Sequence, residues 1–198
     1  MWKVGLTGSI ATGKSTALKL FAEMGIPVFS SDDAVHDLYR GAAVAPVGAA
    51  FPGVVIDGAV DRAALGQATL GDSQKLRQLE AIVHPLVRAQ IADFLAAAES
   101  RGEPIAVVDI PLLFESGYDY GLDRVAVTLV DAATQRERAL ARPGMNVEKL
   151  EAILARQMPQ AEKRLRADYI IETSGPIART REAVTALVAA LRANPKGS

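Results

Sequence analysis

The sequence predicts an α/β fold, a parallel sheet flanked by helices, and three observations carry that reading. Short apolar runs at 2–7, 26–29, 105–108, 125–130 and 169–171 lack polar alternation and are rich in β-branched residues, as in strands covered on both faces. Segments with apolar residues every three to four positions lie between them and suit crossover helices. At the first strand-to-helix junction, Gly8-Ser9-Ile10-Ala11-Thr12-Gly13-Lys14-Ser15-Thr16 matches G-x-x-x-x-G-K-[ST].

Taken in chain order, the first strand runs directly into that loop. Leu18, Leu20, Phe21 and Met24 then give a helix an apolar face before Gly25 stops it. In such a loop the backbone N–H groups turn inward around an anion, and the helix N-terminus adds partial positive charge. Lys14 would reach the β- and γ-phosphates as a point charge, and the Ser15 hydroxyl would coordinate Mg²⁺. The second strand ends at Ser30-Ser31-Asp32-Asp33, on the sheet edge that the phosphate loop shares. Asp32 reads equally as a base that takes a hydroxyl proton or, with Ser31, as a helix cap.

A long excursion follows, weakly patterned from 41 to 58 and helical from about 73 to 99, where Pro85 predicts a kink or break. His84 beside it reads as a hinge, a substrate contact or a structural residue. The third strand ends at Asp109, placed as an indirect Mg²⁺ ligand or as a strand-end turn residue. Residues 134–163 carry Arg138 and Arg142, four apart and expected on one helix face, as surface charge or as cations over a transferring phosphoryl group. After the fifth strand, Pro176 opens a closing helix.

Composition narrows the function classes. The 198 residues include no cysteine, so neither disulfides nor thiolate metal sites are available. With 22 basic against 23 acidic residues, no global attraction to nucleic acid is expected. Charges interrupt the apolar segments, and the first strand starts at residue 2 or 3, so neither a membrane span nor a signal peptide is expected and the location reads as cytoplasmic.

Together these segments make the chain resemble the dephospho-CoA kinase family over almost its whole length. The matching series is Leu6-Thr7-Gly8 into Gly13-Lys14-Ser15-Thr16, 28–36 with Asp32, 79–87 with His84-Pro85, Pro111-Leu112-Leu113-Phe114-Glu115, Gln135 with Arg138 and Arg142, Gln157-Met158-Pro159, Lys163, and 167–171. The resemblance implies a P-loop NTPase fold with a five-stranded parallel sheet like that of nucleoside monophosphate kinases, a helical substrate-binding insert and a lid. It implies one kinase domain over 1–198, with a core at about 1–38, 103–133 and 164–198, an insert at about 39–102 and a lid at about 134–163.

The implied activity is ATP-dependent phosphorylation of the ribose 3′-hydroxyl of dephospho-CoA, giving CoA and ADP at the last step of coenzyme A synthesis, with Mg²⁺ as cofactor. Asp32, Lys14 and Arg142 are then catalytic. Gly8, Ala11, Thr12, Gly13, Lys14, Ser15, Thr16, Arg138 and Arg142 bind ATP. Asp32, His84, Pro85 and Leu112 bind substrate, and Ser15 with Asp109 serves the metal. Ser9, Ser30 and Thr173 depart from the family pattern. Another P-loop kinase of small molecules or nucleotides, or a nucleotide-dependent switch, remains the alternative, and absence of an Asn-Lys-x-Asp motif argues against a GTPase.

Overall fold

The computed structural model describes residues 1–196; the last two residues of the polar tail lie outside it. The described chain forms two compact units, one of 1–29 with 95–196 and one of 30–94.

The larger unit is built on a five-stranded sheet in the order β2-β5-β1-β6-β7. These strands are β1 (Trp2–Gly8), β2 (Val28–Ser30), β5 (Ile105–Asp109), β6 (Arg124–Leu129) and β7 (Tyr169–Glu172). β1 pairs in parallel with β5 and β6, and β6 in parallel with β7. Every residue of β5 is buried, which explains its run without polar alternation. The register places Asp109 opposite Leu6 and Thr128 opposite Gly8, so both polar residues stand where β1 leaves the sheet.

Helix α1 (Lys14–Glu23) buries Ala17, Leu18, Leu20 and Phe21. It ends in a Schellman turn: the Gly25 N–H donates to the Ala22 carbonyl at 3.0 Å and that of Ile26 to Phe21 at 3.3 Å. Gly25 takes φ 74°, which its missing Cβ makes easy. The closing helix α10 (Ile177–Ala193) brings Val184, Leu187, Val188 and Leu191 into the same core as Val4, Leu6, Phe21 and Val107. Trp2 ties that helix down, its indole N–H donating to the Leu191 and Asn194 carbonyls.

The 30–94 unit has its own core, with Leu38, Tyr39, Val47, Phe51, Val60, Leu65 and Val83 buried. It contains α2 (Ser31–Leu38), α3 (Val44–Ala50), α4 (Arg62–Thr69) and the start of α5 (Ser73–Ser100). A two-strand hairpin of β3 (Val55–Ile56) and β4 (Ala59–Val60) lies in the stretch that shows little sequence pattern. Asp57 and Gly58 form its turn, both with positive φ, the Asp-Gly chemistry of a tight hairpin. Pro85 does not break α5, which runs 28 residues through it. Loss of one i→i−4 bond is outweighed by a long helix that buries Val83, Ile91, Leu95 and Ala98.

Among the described residues one helix, α5, is long and apolar enough to cross a membrane by length and composition alone. Arg88 and Asp93 stand in its middle. A charge at bilayer depth costs about 2.5–3.5 kcal/mol.

Candidate active site

The site grows from the loop between β1 and α1. Gly13, at the N-cap of α1, has φ 80°, no side chain caps the helix, and its first turn carries no acid. The first N–H groups of α1 therefore face an anion-binding position with no side-chain competitor. Gly8 is required by close approach: a Cβ there would lie 2.1 Å from the Thr128 Oγ1 and 2.5 Å from that of Thr12. Those two hydroxyls are hydrogen-bonded at 2.7 Å directly beneath it, and Thr12 also donates to the Ser9 carbonyl at 2.8 Å. Ala11 adopts φ 60° without being glycine, a left-handed conformation that costs about 1–2 kcal/mol and must be held by its surroundings.

Lys14 is mostly buried and its ammonium is paired with the Asp109 carboxylate, 2% exposed at the end of β5. Ser15 and Thr16 are exposed at the start of α1. Beside the loop lies a cavity of about 360 Å³ lined by Ala11, Gly13, Thr16, Arg138, Arg142 and Thr173, among others. Arg138 is on α7 (Ala132–Leu140), where its guanidinium donates to the Thr173 carbonyl at 2.8 Å. The Thr173 hydroxyl in turn donates to the Thr12 carbonyl at 2.9 Å, so this departure from the family pattern is built into the wall of the cavity.

Arg142 does not share a face of one helix with Arg138. α7 ends at Leu140, because Pro143 disfavours helical backbone at the residue before it. The exposed Arg142 nevertheless lines the same cavity. Leu112, after Asp109, is left-handed at φ 55° and 39% exposed, at the N-cap of α6 (Leu113–Ser116). Strain of this kind persists only where neighbours fix it.

Asp32, His84 and Pro85 belong to the 30–94 unit and are exposed there. Neither Ser31 nor Asp32 caps α2. Ser30 does, its side chain accepting from the Asp33 N–H at 3.2 Å, which leaves the Asp32 carboxylate exposed in the first turn.

A family model described as dephospho-CoA kinase matches residues 2–179. The chain belongs to the dephospho-CoA kinase family. It is 56% identical over 189 residues to a dephospho-CoA kinase of Mesorhizobium japonicum, covering 96% of each chain. Its structure is similar to a crystal structure from Thermus thermophilus, at TM-score 0.80 and 33% identity with 98% of both chains covered. It is also similar to dephospho-CoA kinase from Campylobacter jejuni, at TM-score 0.68 and 25% identity, again with 98% of both covered. Membership in the dephospho-CoA kinase family gives the chain an ATP-dependent phosphotransferase activity, that of a dephospho-CoA kinase.

The donor set around the loop suits Mg²⁺, the cation this kinase fold uses. Ser15 offers a hydroxyl and Asp109 a carboxylate, both hard oxygen donors. Among the described residues, no three His, Cys, Asp or Glu side chains gather to hold a metal.

The sequence marks Gln135, Gln157, Glu115 and Lys163 only as part of the family pattern and gives them no role; in the structure they meet near the loop. Gln157 accepts from the Ile10 N–H at 2.9 Å, and Gln135 donates to the Ile10 carbonyl at 2.8 Å. The fully buried Lys163, on α9 (Gln160–Arg166), has its ammonium 2.9 Å from Glu115 Oε1. The distance is a hydrogen bond's but the alignment is not, so the two meet as a charge contact. The same Oε1 accepts from the Met158 N–H at 2.8 Å. Burial pushes the Glu115 carboxyl up, but Lys163 and the Met158 N–H outweigh it and hold it below the usual carboxylate range.

Proposed function

We propose that the chain transfers the γ-phosphoryl group of ATP to the ribose 3′-hydroxyl of dephospho-CoA, releasing CoA and ADP. The observation that carries this reading is the phosphate loop with its uncapped helix end beside a cavity of about 360 Å³, a size that suits a nucleotide.

In this reading the N–H groups of Gly13, Lys14, Ser15 and Thr16 hold the phosphates. Lys14 leaves or shares its partner Asp109 to meet the β- and γ-phosphates, so Asp109 sets where its charge rests beforehand. Arg142, exposed on the cavity wall, supplies positive charge against the negative charge on the transferring group. Arg138 fixes Thr173 and contributes its charge from behind. Mg²⁺, held by Ser15 and indirectly by Asp109, would neutralise phosphate charge.

Asp32 takes the proton as the 3′-oxygen bonds to phosphorus. The bond from phosphorus to the β,γ-bridging oxygen breaks, and its electron pair leaves with ADP. His84 and Pro85, in an insert at about 39–102, and Leu112, in the core, contact the CoA portion, and the segment at about 134–163 serves as lid. We place the reaction in the cytoplasm, where a cysteine-free chain meets both substrates.

Measuring ADP release with and without dephospho-CoA tests the proposal. Release that depends on dephospho-CoA supports it; slow release indifferent to that acceptor supports a nucleotide switch instead.

A further inference from the structure

Ile10 is gripped on both sides of its Cα, in two successive peptide groups, by side chains that lie more than 120 residues away. Its N–H donates to Gln157 Oε1 at 2.9 Å, and its carbonyl accepts from Gln135 Nε2 at 2.8 Å. Neither contact is isolated. Gln160 donates to Gln135 Oε1 at 3.0 Å and accepts from the Val130 N–H, at the end of β6, at 3.0 Å. Glu115 receives the Met158 N–H, next to Gln157, and holds the buried Lys163. The loop peptide is therefore tied through two glutamines to β6 and through Met158 to the turn after β5.

We infer that Gln157 and Gln135 are positioning residues that lock the phosphate loop in its ATP-binding shape. Ala11, whose N–H belongs to the second of these peptides, has a φ of 60° that is unfavourable for an alanine. Gln135 holds the carbonyl of the Ile10–Ala11 peptide, the plane whose rotation would relieve Ala11, and Gln157 holds the N–H of the preceding Ser9–Ile10 peptide, so neither plane turns freely. The strained backbone, and with it the inward aim of the following N–H groups, is thus fixed before nucleotide arrives. Gln135 is 7% exposed, so water does not substitute freely for its amide. Because the brace comes from the segment that carries Arg138 and Arg142, loop geometry and the placement of those cations are set together.

The two glutamines use opposite halves of their amides, which makes the inference testable by near-isosteric changes. Gln157 serves Ile10 as an acceptor, so Gln157→Glu keeps the bond, whereas Gln157→Met keeps the length and loses it. Gln135 serves as a donor, so Gln135→Glu sets a carboxylate against the Ile10 carbonyl. The inference rests on the loop binding ATP; the readout is therefore titration of a non-hydrolysable ATP analogue with Mg²⁺, without dephospho-CoA, alongside steady-state kinetics.

The expected result is an affinity about tenfold weaker for Gln157→Met and Gln135→Glu, a matching rise in KM for ATP, and KM for dephospho-CoA within twofold of the original chain. Gln157→Glu should restore ATP binding to within about twofold. Equal ATP affinity in all the chains would overturn the inference, whatever their melting temperatures. So would equal weakening by Gln157→Glu and Gln157→Met. Failure of the unmutated chain to phosphorylate dephospho-CoA, with the ATP pattern intact, would count against the proposed reaction and leave the brace standing.

Discussion

Replacing Asp32 by asparagine separates chemistry from folding, and the structure sharpens how far apart the two effects should fall. The cap of α2 is Ser30, so Asp32→Asn leaves the capping bond to the Asp33 N–H in place. What folding loses is one exposed negative charge in a helix first turn that still carries Asp33, worth about 0.3–1 kcal/mol. For a chain of this size that is a fall in Tm of about 4 °C or less. What catalysis loses is the proton acceptor for the attacking hydroxyl, about 10²- to 10⁴-fold in kcat, or about 2.7–5.4 kcal/mol of barrier. Ser30→Ala should do the reverse: about 1 kcal/mol of stability lost with the cap, and turnover within a few-fold of the original. Saturated turnover by coupled ADP release and Tm by circular dichroism, read on the same preparations, decide the matter. A folded Asp32→Asn enzyme with near-normal turnover would refute the assignment of Asp32 as base.

Arg142→Ala should lower kcat more than it weakens ATP binding, since an exposed cation at the cavity wall acts chiefly on charge developed during transfer. Calorimetric titration of ATP against saturated turnover checks this, and a large affinity loss with unchanged kcat would count against it. The Glu115 carboxyl titrates below its ordinary range, so its stabilisation is fully present above the unfolded-state pKa of about 4.3 and is lost as pH falls through the depressed value. Glu115→Gln should therefore narrow the Tm gap to the original chain as pH drops from about 6 to about 3; a gap that stays constant across that range would show that the carboxylate charge is not what stabilises.

Local signals made much of this molecule legible from its sequence. The loop motif lies between a strand and a helix as its sequence context implied, and apolar runs such as 105–108 located strands, β5 among them with every residue buried. What escaped reading falls into two kinds. Some of it was written locally but outweighed: Asp57-Gly58 is a hairpin signal, yet strands of two residues leave no alternation to see, and Pro85 suggests a break that the packing of α5 overrides. Ser30 and Arg142 turned on a shift of one or two residues in a helix end, the least determined feature of a sequence reading. The rest was not local at all. The hold of Gln135 and Gln157 on Ile10 joins residues 125 and 147 positions apart, and a glutamine in an amphipathic helix looks like any solvated one until the fold brings its partner.

Phosphoryl transfer to one particular hydroxyl is read from the position of the new phosphate. Purified protein given ATP, Mg²⁺ and dephospho-CoA should yield ADP and CoA in equal amounts, with phosphorus NMR placing the added phosphate on the ribose 3′-oxygen, and almost no ADP when dephospho-CoA is omitted. Phosphate found on another oxygen, or ADP formed at the same rate with no acceptor present, would contradict the account.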